Sequence, residues 1–214
     1  MTRTHVFADV WNAEGESLAL RDYQAEFDEV YRAAEGEVWK LERAQHFHEP
    51  DVPSWRAAHE GDWPLALDLI EETREPLTAM YRERAAFLRL RVVEMPLTPY
   101  MRWEAHVFSV RAAAGEKIRV LTASAVADLE RGAPLPELVI FGSDLMYQVC
   151  YDEIGAASGA RRIRDTRVVA PCLTALASLY REAEDLLPFF EREVAPLPPP
   201  ADLSQPPPRT GIGS

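Results

Sequence analysis

The segment AFLRLRVVEM, residues 86–95, constrains the fold of this chain more than any other stretch. Apolar and basic residues alternate in it, and successive side chains of a strand point to opposite faces. Arg89 and Arg91 therefore share one face of the predicted strand, and the apolar residues between them face the other way. A strand of this kind has two outlets for its arginines. Either its charged face is the wet side of an ordinary sheet, or it is the wall of a pocket.

The next residues bear on that choice. PLTPY carries two prolines and breaks the strand, and YMRWEAHVFSVRAA reads as helical early and extended later. If residues 102 and 104 are extended, Arg102 and Glu104 also share a face, and the proline turn folds Tyr100, Arg102 and Glu104 back over the first strand. Guanidinium groups are planar forks that match carboxylate and phosphate oxygens, so such a cluster would clamp a small anion. Glu104 would then orient an arginine or act as a base. The plainer alternative is that Arg89–Glu104 and Arg91–Glu94 pair across a solvated sheet face.

Around this block the chain alternates helical and extended patterns. Apolar residues at Leu20, Tyr23, Phe27, Val30 and Tyr31 predict a helix that ends near Gly36, and EVWKLERAQHF predicts a strand. Residues 56–85 read as helical. Pro64 suits a first turn, and Pro76 kinks or divides the segment. IRVLTA predicts a short strand, and SAVADLERG a short helix capped by Ser124. The stretch from Leu138 gives two or three strands joined by glycine turns, and residues 168–194 give a closing helix. THVFADVW, near the N-terminus, is left as a short edge strand. The expected fold class is α+β, with a mixed or mostly antiparallel sheet packed against helices. Residues 1–194 would form a single domain and the proline-rich residues 195–214 a disordered tail with little to bury.

Composition narrows the function classes. The formal charge is −12, which disfavours nucleic acid and anionic membranes unless a local basic patch overrides it. SGARRIRDTR, with Arg161, Arg162, Arg164 and Arg167, is such a basic island, readable as a phosphate contact or as solvated hairpin surface. No apolar run spans a membrane and the N-terminus has no secretory pattern, so a cytoplasmic protein is expected. Cys150 and Cys172 are expected to be free thiols. Cys172 falls at the start of the closing helix, where a nucleophile would gain from the helix end. No cofactor-binding motif is visible.

FDEVYRAAEGEVWKLERAQHF, LRLRVVEMPLTPYMRWEAHVFSVRAAAGEKIRVL and LPELVIFGSDLMYQVCYDEIG together resemble the DUF6879 family of actinobacterial proteins. The middle block carries the resemblance through Arg89, Arg91, Pro96, Leu97, Thr98, Tyr100, Arg102, Trp103, Glu104, Gly115, Glu116 and Arg119. Phe141, Asp144, Tyr151 and Asp152 continue it. The chain departs from the family pattern in an extra helical segment around residues 56–85 and in the turn written FGSD. The resemblance implies no established reaction. It implies an accessory protein found beside helix-turn-helix regulators or in specialised metabolism.

The candidate ligand-binding set is therefore Arg89, Arg91, Tyr100, Arg102, Glu104 and Arg119. His46 and His48 in HFHEPD are candidate acid–base groups at the mouth of the same pocket, because imidazole titrates near neutrality. Two histidines at that spacing could also contribute to a metal site, with His59 or His106 as a third ligand, but no metal is assigned. Trp39, Trp55, Trp63 and Trp103 either line an apolar pocket or fill the core. The first function expected is an accessory or regulatory protein that binds a small anionic molecule or an acidic partner segment. The alternative is an enzyme of specialised metabolism acting on an anionic substrate, with a transfer-RNA-dependent version of it resting on Arg161 to Arg167. Self-association as a homodimer is left open.

Overall fold

A computed structural model of the chain describes residues 3–200 and residue 203. Its frame is one mixed sheet of strands β1 (Glu16–Ala19), β2 (Glu37–Glu42), β3 (Ala86–Val93), β4 (Lys117–Thr122), β5 (Leu138–Phe141), β6 (Leu145–Tyr151), β7 (Ala157–Ile163) and β8 (Glu184–Asp185). The order across the sheet is β1-β7-β6-β5-β2-β3-β4-β8. Strands β2, β3 and β4 run parallel, and the flanking strands pair antiparallel. Parallel neighbours need crossover segments, and helices supply them. The helices are α1 (Arg3–Asn12), α2 (Leu20–Ala33), α3 (Pro53–His59), α4 (Trp63–Glu71), α5 (Arg74–Glu83), α6 (Pro99–Ala114), α7 (Ala123–Val126), α8 (Thr166–Glu182) and α9 (Leu186–Glu193). The expected α+β class is the class observed.

Each face of the sheet has its own cover. Leu90 and Val92 of β3, Leu41 of β2, and Leu138 and Ile140 of β5 pack against α1 and α8 through Phe7, Val10, Val169 and Leu176. On the opposite face α2 lies over β5 to β7, where Phe27 meets Phe141 and Tyr23 meets Tyr147. Farther along that face α6 lies over β3 and β4, where Trp103 and Phe108 meet Val93, Ile118 and Val120. Arg89 and Arg91 are on this second face, near the gap between the two helices.

Three expectations are corrected. THVFADVW is helical, because Val6, Phe7 and Val10 at helical spacing all reach the apolar cluster beneath α1. Residues 99–114 form one continuous helix with no extended part. Thr98 caps it, its Oγ1 accepting from the Met101 amide at 3.1 Å, Pro99 fills the first turn, and Gly115 ends it at φ 126°. Residues 56–85 fall into α3, α4 and α5, and the break before α5 comes at Glu72–Thr73, so Pro76 lies in the first turn of α5.

Cys172 sits a full turn and more into α8 and is buried, not at the exposed helix start. Of the proline-rich tail, Leu203 is buried in the apolar cluster to which α6 and α9 contribute. Of the tail expected to be disordered, residues 195–214, residues 201, 202 and 204–214 lie outside the described residues. Among the described residues, no helix is long and apolar enough to cross a membrane.

Candidate functional site

Parallel pairing of β2 with β3 sets Lys40 beside Arg89 and Glu42 beside Arg91, so all four side chains share the face under α6. Arg89 and Arg91 are almost completely buried, at 3% and 1% exposure. An unpaired guanidinium there would be prohibitive, and neither is unpaired. Arg89 donates from Nη1 to Glu42 at 2.5 Å and from Nε to Glu116 at 2.6 Å. Arg91 donates from Nε to Glu104 at 2.8 Å and from Nη2 to the Ala44 carbonyl at 2.5 Å. Lys40 Nζ lies 2.6 Å from Glu42, and Arg111 Nε donates to Glu116 at 2.6 Å. Tyr81 also donates to Glu116. The wet-face pairs do not form, since Glu94 pairs with Arg43 instead.

Above this network lies a cavity of about 550 Å³. Lys40, Glu42, Arg89 and Arg111 reach it from below, while Trp103, Glu104 and Phe108 of α6 form one wall. The loop after β2 contributes Phe47, His48, Glu49 and Asp51, and Ile70, Thr73 and Leu77 close it from α4 and α5. The residues of α6 that face inward are Tyr100, Trp103, Glu104, Phe108 and Arg111, spaced as one side of a helix.

The carboxyls fall into two electrostatic classes. Burial would raise Glu42 and Glu116, but the surrounding cations outweigh it. Arg89, Lys40 and Arg91 hold Glu42 well below the ordinary carboxylate range, and Arg89 with Arg111 draws Glu116 down to about 2. Glu104 goes the other way. Its burial exceeds the pull of Arg91, the charges of Glu42 and Glu49 add to it, and it is raised to about 7. Glu49 is raised as well, chiefly by burial. The hydroxyl of Tyr100 lies 2.8 Å from Glu49 Oε2 and 3.1 Å from Glu104 Oε1. One phenol proton can be given to only one carboxylate, so the other contact needs a proton on a carboxyl. Glu49, Tyr100 and Glu104 thus form a proton-sharing group beside the cavity, suited chemically to general acid–base work.

The expected site residues divide accordingly. Arg89, Glu104 and His48 line the cavity. Arg91 and Tyr100 are buried directly behind its wall and act on it through Glu104 and Glu49. Arg102 is turned away: two residues from both Tyr100 and Glu104 on a helix, it points to the other side of α6, beside His106. Arg119 is opposite Leu90 in the β3–β4 register, so it lies on the other face of the sheet, bonded to Asp185 at 2.8 Å and to the Tyr180 carbonyl. His46 lines a neighbouring chamber with His48 and His59. Among the described residues no group of three His, Cys, Asp or Glu side chains is arranged to hold a metal.

Lys40, Glu42, Glu49, Arg111 and Glu116 belong to the site and were not among the expected residues. For Arg111 the signal was present, eleven residues after Tyr100 on one helical face. Of the tryptophans, Trp103 lines the cavity and Trp55 the neighbouring chamber, while Trp39 packs toward α8 against Tyr180. Three of the four arginines of the basic island are bonded within the chain. Arg161 donates to the Val10, Trp11 and Ala13 carbonyls at the end of α1, Arg162 pairs with Glu16 and Glu26, and Arg167 pairs with Asp165.

A mixed sheet with helices on both faces, and a charged cavity between two of those helices, defines an α+β protein built around an internal polar site. Residues 25–191 match the family model described as a domain of unknown function, DUF6879, and the chain belongs to that family. No curated protein matches it in sequence.

Proposed function

We propose that this chain is a cytoplasmic accessory or regulatory protein that binds a small anionic molecule in the cavity over β2 and β3. One observation carries the reading: Lys40, Arg89 and Arg111 converge on the cavity floor against the two strongly ionised carboxylates Glu42 and Glu116. Counted with Glu116 behind it, this group keeps one positive charge in excess, while Glu49, Asp51 and Glu104 bring carboxyls to the other walls. Arg91 is not a ligand contact in this reading. With Glu104 it is the rigid support, and the contacts offered to an anion are Lys40 and Arg111, the less buried of the cations. A concave, partly open cavity of about 550 Å³ suits a small molecule better than an acidic partner segment. We further infer that α3 to α5, around residues 56–85, are an addition to the family frame that roofs the cavity with Ile70, Thr73 and Leu77.

The Glu49–Tyr100–Glu104 group favours a second reading, an enzyme acting on an anionic substrate with this group as its acid–base machinery. Its transfer-RNA-dependent version loses support, because Arg161, Arg162 and Arg167 are engaged within the chain.

The test is a thermal-shift series with inorganic pyrophosphate, citrate and phenylphosphonate against the native chain and the variants Lys40→Ala and Arg111→Ala. The reading predicts that at least one anion raises the melting temperature of the native chain and that both variants lose the shift. Equal shifts in all three proteins, or none in the native chain, would overturn it.

A further inference from the structure

A second chamber of about 730 Å³ adjoins the first. Phe47, His48, Tyr151 and Gly155 line both, so they form the partition between them. The Phe47 and Tyr151 rings lie 4.5 Å apart at 30°, and the His48 amide donates to the Gly155 carbonyl at 2.9 Å. These contacts fix the partition from both its strands of chain.

The two chambers differ in charge. The first has Lys40, Arg89 and Arg111 in its floor; the second has no lysine or arginine among the described residues that line it. Its charged groups are Asp152 and Glu153, exposed on the turn between β6 and β7. Asp152 Oδ1 accepts from the Ile154 and Ala156 amides, which holds the turn in shape at the chamber's lip. Ile154, 62% exposed, adds an apolar side chain there.

The walls are aromatic. Phe47, Trp55 and Tyr151 contribute rings, and His46, His48 and His59 contribute imidazoles. Trp55 stacks on His59 at 4.7 Å and meets His48 edge-on at 5.1 Å. Two polar atoms in this wall are buried without a hydrogen-bond partner among the described residues: Trp55 Nε1, on a side chain only 3% exposed, and His46 Nδ1. Buried polar atoms are rarely left so, and each such atom asks for a missing partner. Burial, with His48 and His59 nearby, lowers the His46 pKa and favours its neutral form, in which a ring nitrogen can accept.

We propose that this second chamber binds a small organic ammonium ion that also carries a hydrogen-bond acceptor. Ring faces attract cations through their quadrupole, most strongly where water is excluded. Asp152 and Glu153 add a negative potential at the entrance. Both atoms are closed to solvent in the structure, so binding must turn the His46 ring and the Trp55 indole toward the chamber, the first to accept from an ammonium N–H and the second to donate to the acceptor. This site does not depend on the anion site, whose charge has the opposite sign.

Three probes with one phenol and different charge test the proposal: tyramine, 2-(4-hydroxyphenyl)ethanol and 3-(4-hydroxyphenyl)propionate. The readout is the indole N–H resonance of Trp55 in the ¹⁵N-labelled native chain, assigned by its loss in Trp55→Phe. Should that variant fail to fold, selective ¹⁵N-indole labelling with the other four tryptophans replaced one at a time assigns the signal by elimination. Tyramine should move the resonance and bind about tenfold more tightly than the neutral alcohol, with the propionate weakest. Glu153→Gln, an exposed change that leaves the fold alone, should narrow the gap between tyramine and the alcohol about threefold. A resonance that tyramine does not move, or that the propionate moves at equal or lower concentration, overturns the proposal.

Discussion

Arg91 on β3 and Glu104 on α6 meet at 2.8 Å, both almost fully buried, and tie the helix to the sheet beside the cavity. Breaking one side of such a pair leaves a charge with no partner in a dry place. Arg91→Met should therefore destabilise the chain by about 3 to 5 kcal/mol. Adding Glu104→Leu should recover much of the loss, because the pair is then replaced by apolar packing. Urea denaturation of the single and double variants measures both, and a double variant no better than Arg91→Met would show the pair to be more than mutual neutralisation.

Lys40 is a different case, since its ammonium group is partly exposed and Glu42 keeps Arg89 when Lys40 is removed. Lys40→Ala should change stability by no more than about 1 kcal/mol. It should weaken anion binding about tenfold or more, the loss of one charge-assisted contact in a shielded site. Calorimetric titration with the best anion of the thermal-shift series separates the two effects.

The site's carboxyls predict opposite pH responses. Glu104 has its pKa raised to about 7. Between the ordinary carboxylate range and that value, the folded chain keeps a proton that the unfolded chain has released, so this group's contribution falls as pH rises across the window. Glu116 is lowered to about 2. Its contribution is present above the ordinary carboxylate range and is lost as pH falls from there toward 2. Denaturation midpoints from pH 2 to 8 should lose their upper slope in Glu104→Gln and part of their acid slope in Glu116→Gln.

Anion affinity should follow the same proton. Protonation of Glu104 removes negative charge from the cavity wall, so binding should strengthen as pH falls from 8 to 6. Affinity that is flat across that range, with the anion's own ionisation allowed for, would remove this group from the binding site.

The two thiols should also separate. Cys172 is on the buried face of α8 and its pKa is raised to about 12 by that burial, whereas Cys150 is half-buried. A thiol-specific aromatic disulfide should modify Cys150 in the native chain and reach Cys172 only on unfolding. Rapid native reaction at Cys172 would contradict its placement.

Much of the frame could be read from residue order. The alternation in AFLRLRVVEM does make a strand with Arg89 and Arg91 on one face, and the helical stripe ending near Gly36 is α2. The helix α6 was harder to read, because Arg102 and Glu104, two apart, also fit a strand. The spacing of Tyr100, Glu104, Phe108 and Arg111 is the one that packing obeys. Arg119 failed on parity: Ile118 and Val120 face α6, which sends Arg119 to the far side. Glu42 and Lys40 were not legible as partners of Arg89. Only the parallel pairing of β2 with β3, across 47 residues of chain, brings them together.

The most direct test of the anion site is native mass spectrometry of the full chain and of Lys40→Ala, each incubated with the anionic small-molecule fraction of a cell extract. The native chain should carry an added mass that disappears on denaturation and is absent or strongly reduced in Lys40→Ala. A native chain that keeps its bare mass, or an adduct that both proteins hold equally, would contradict it.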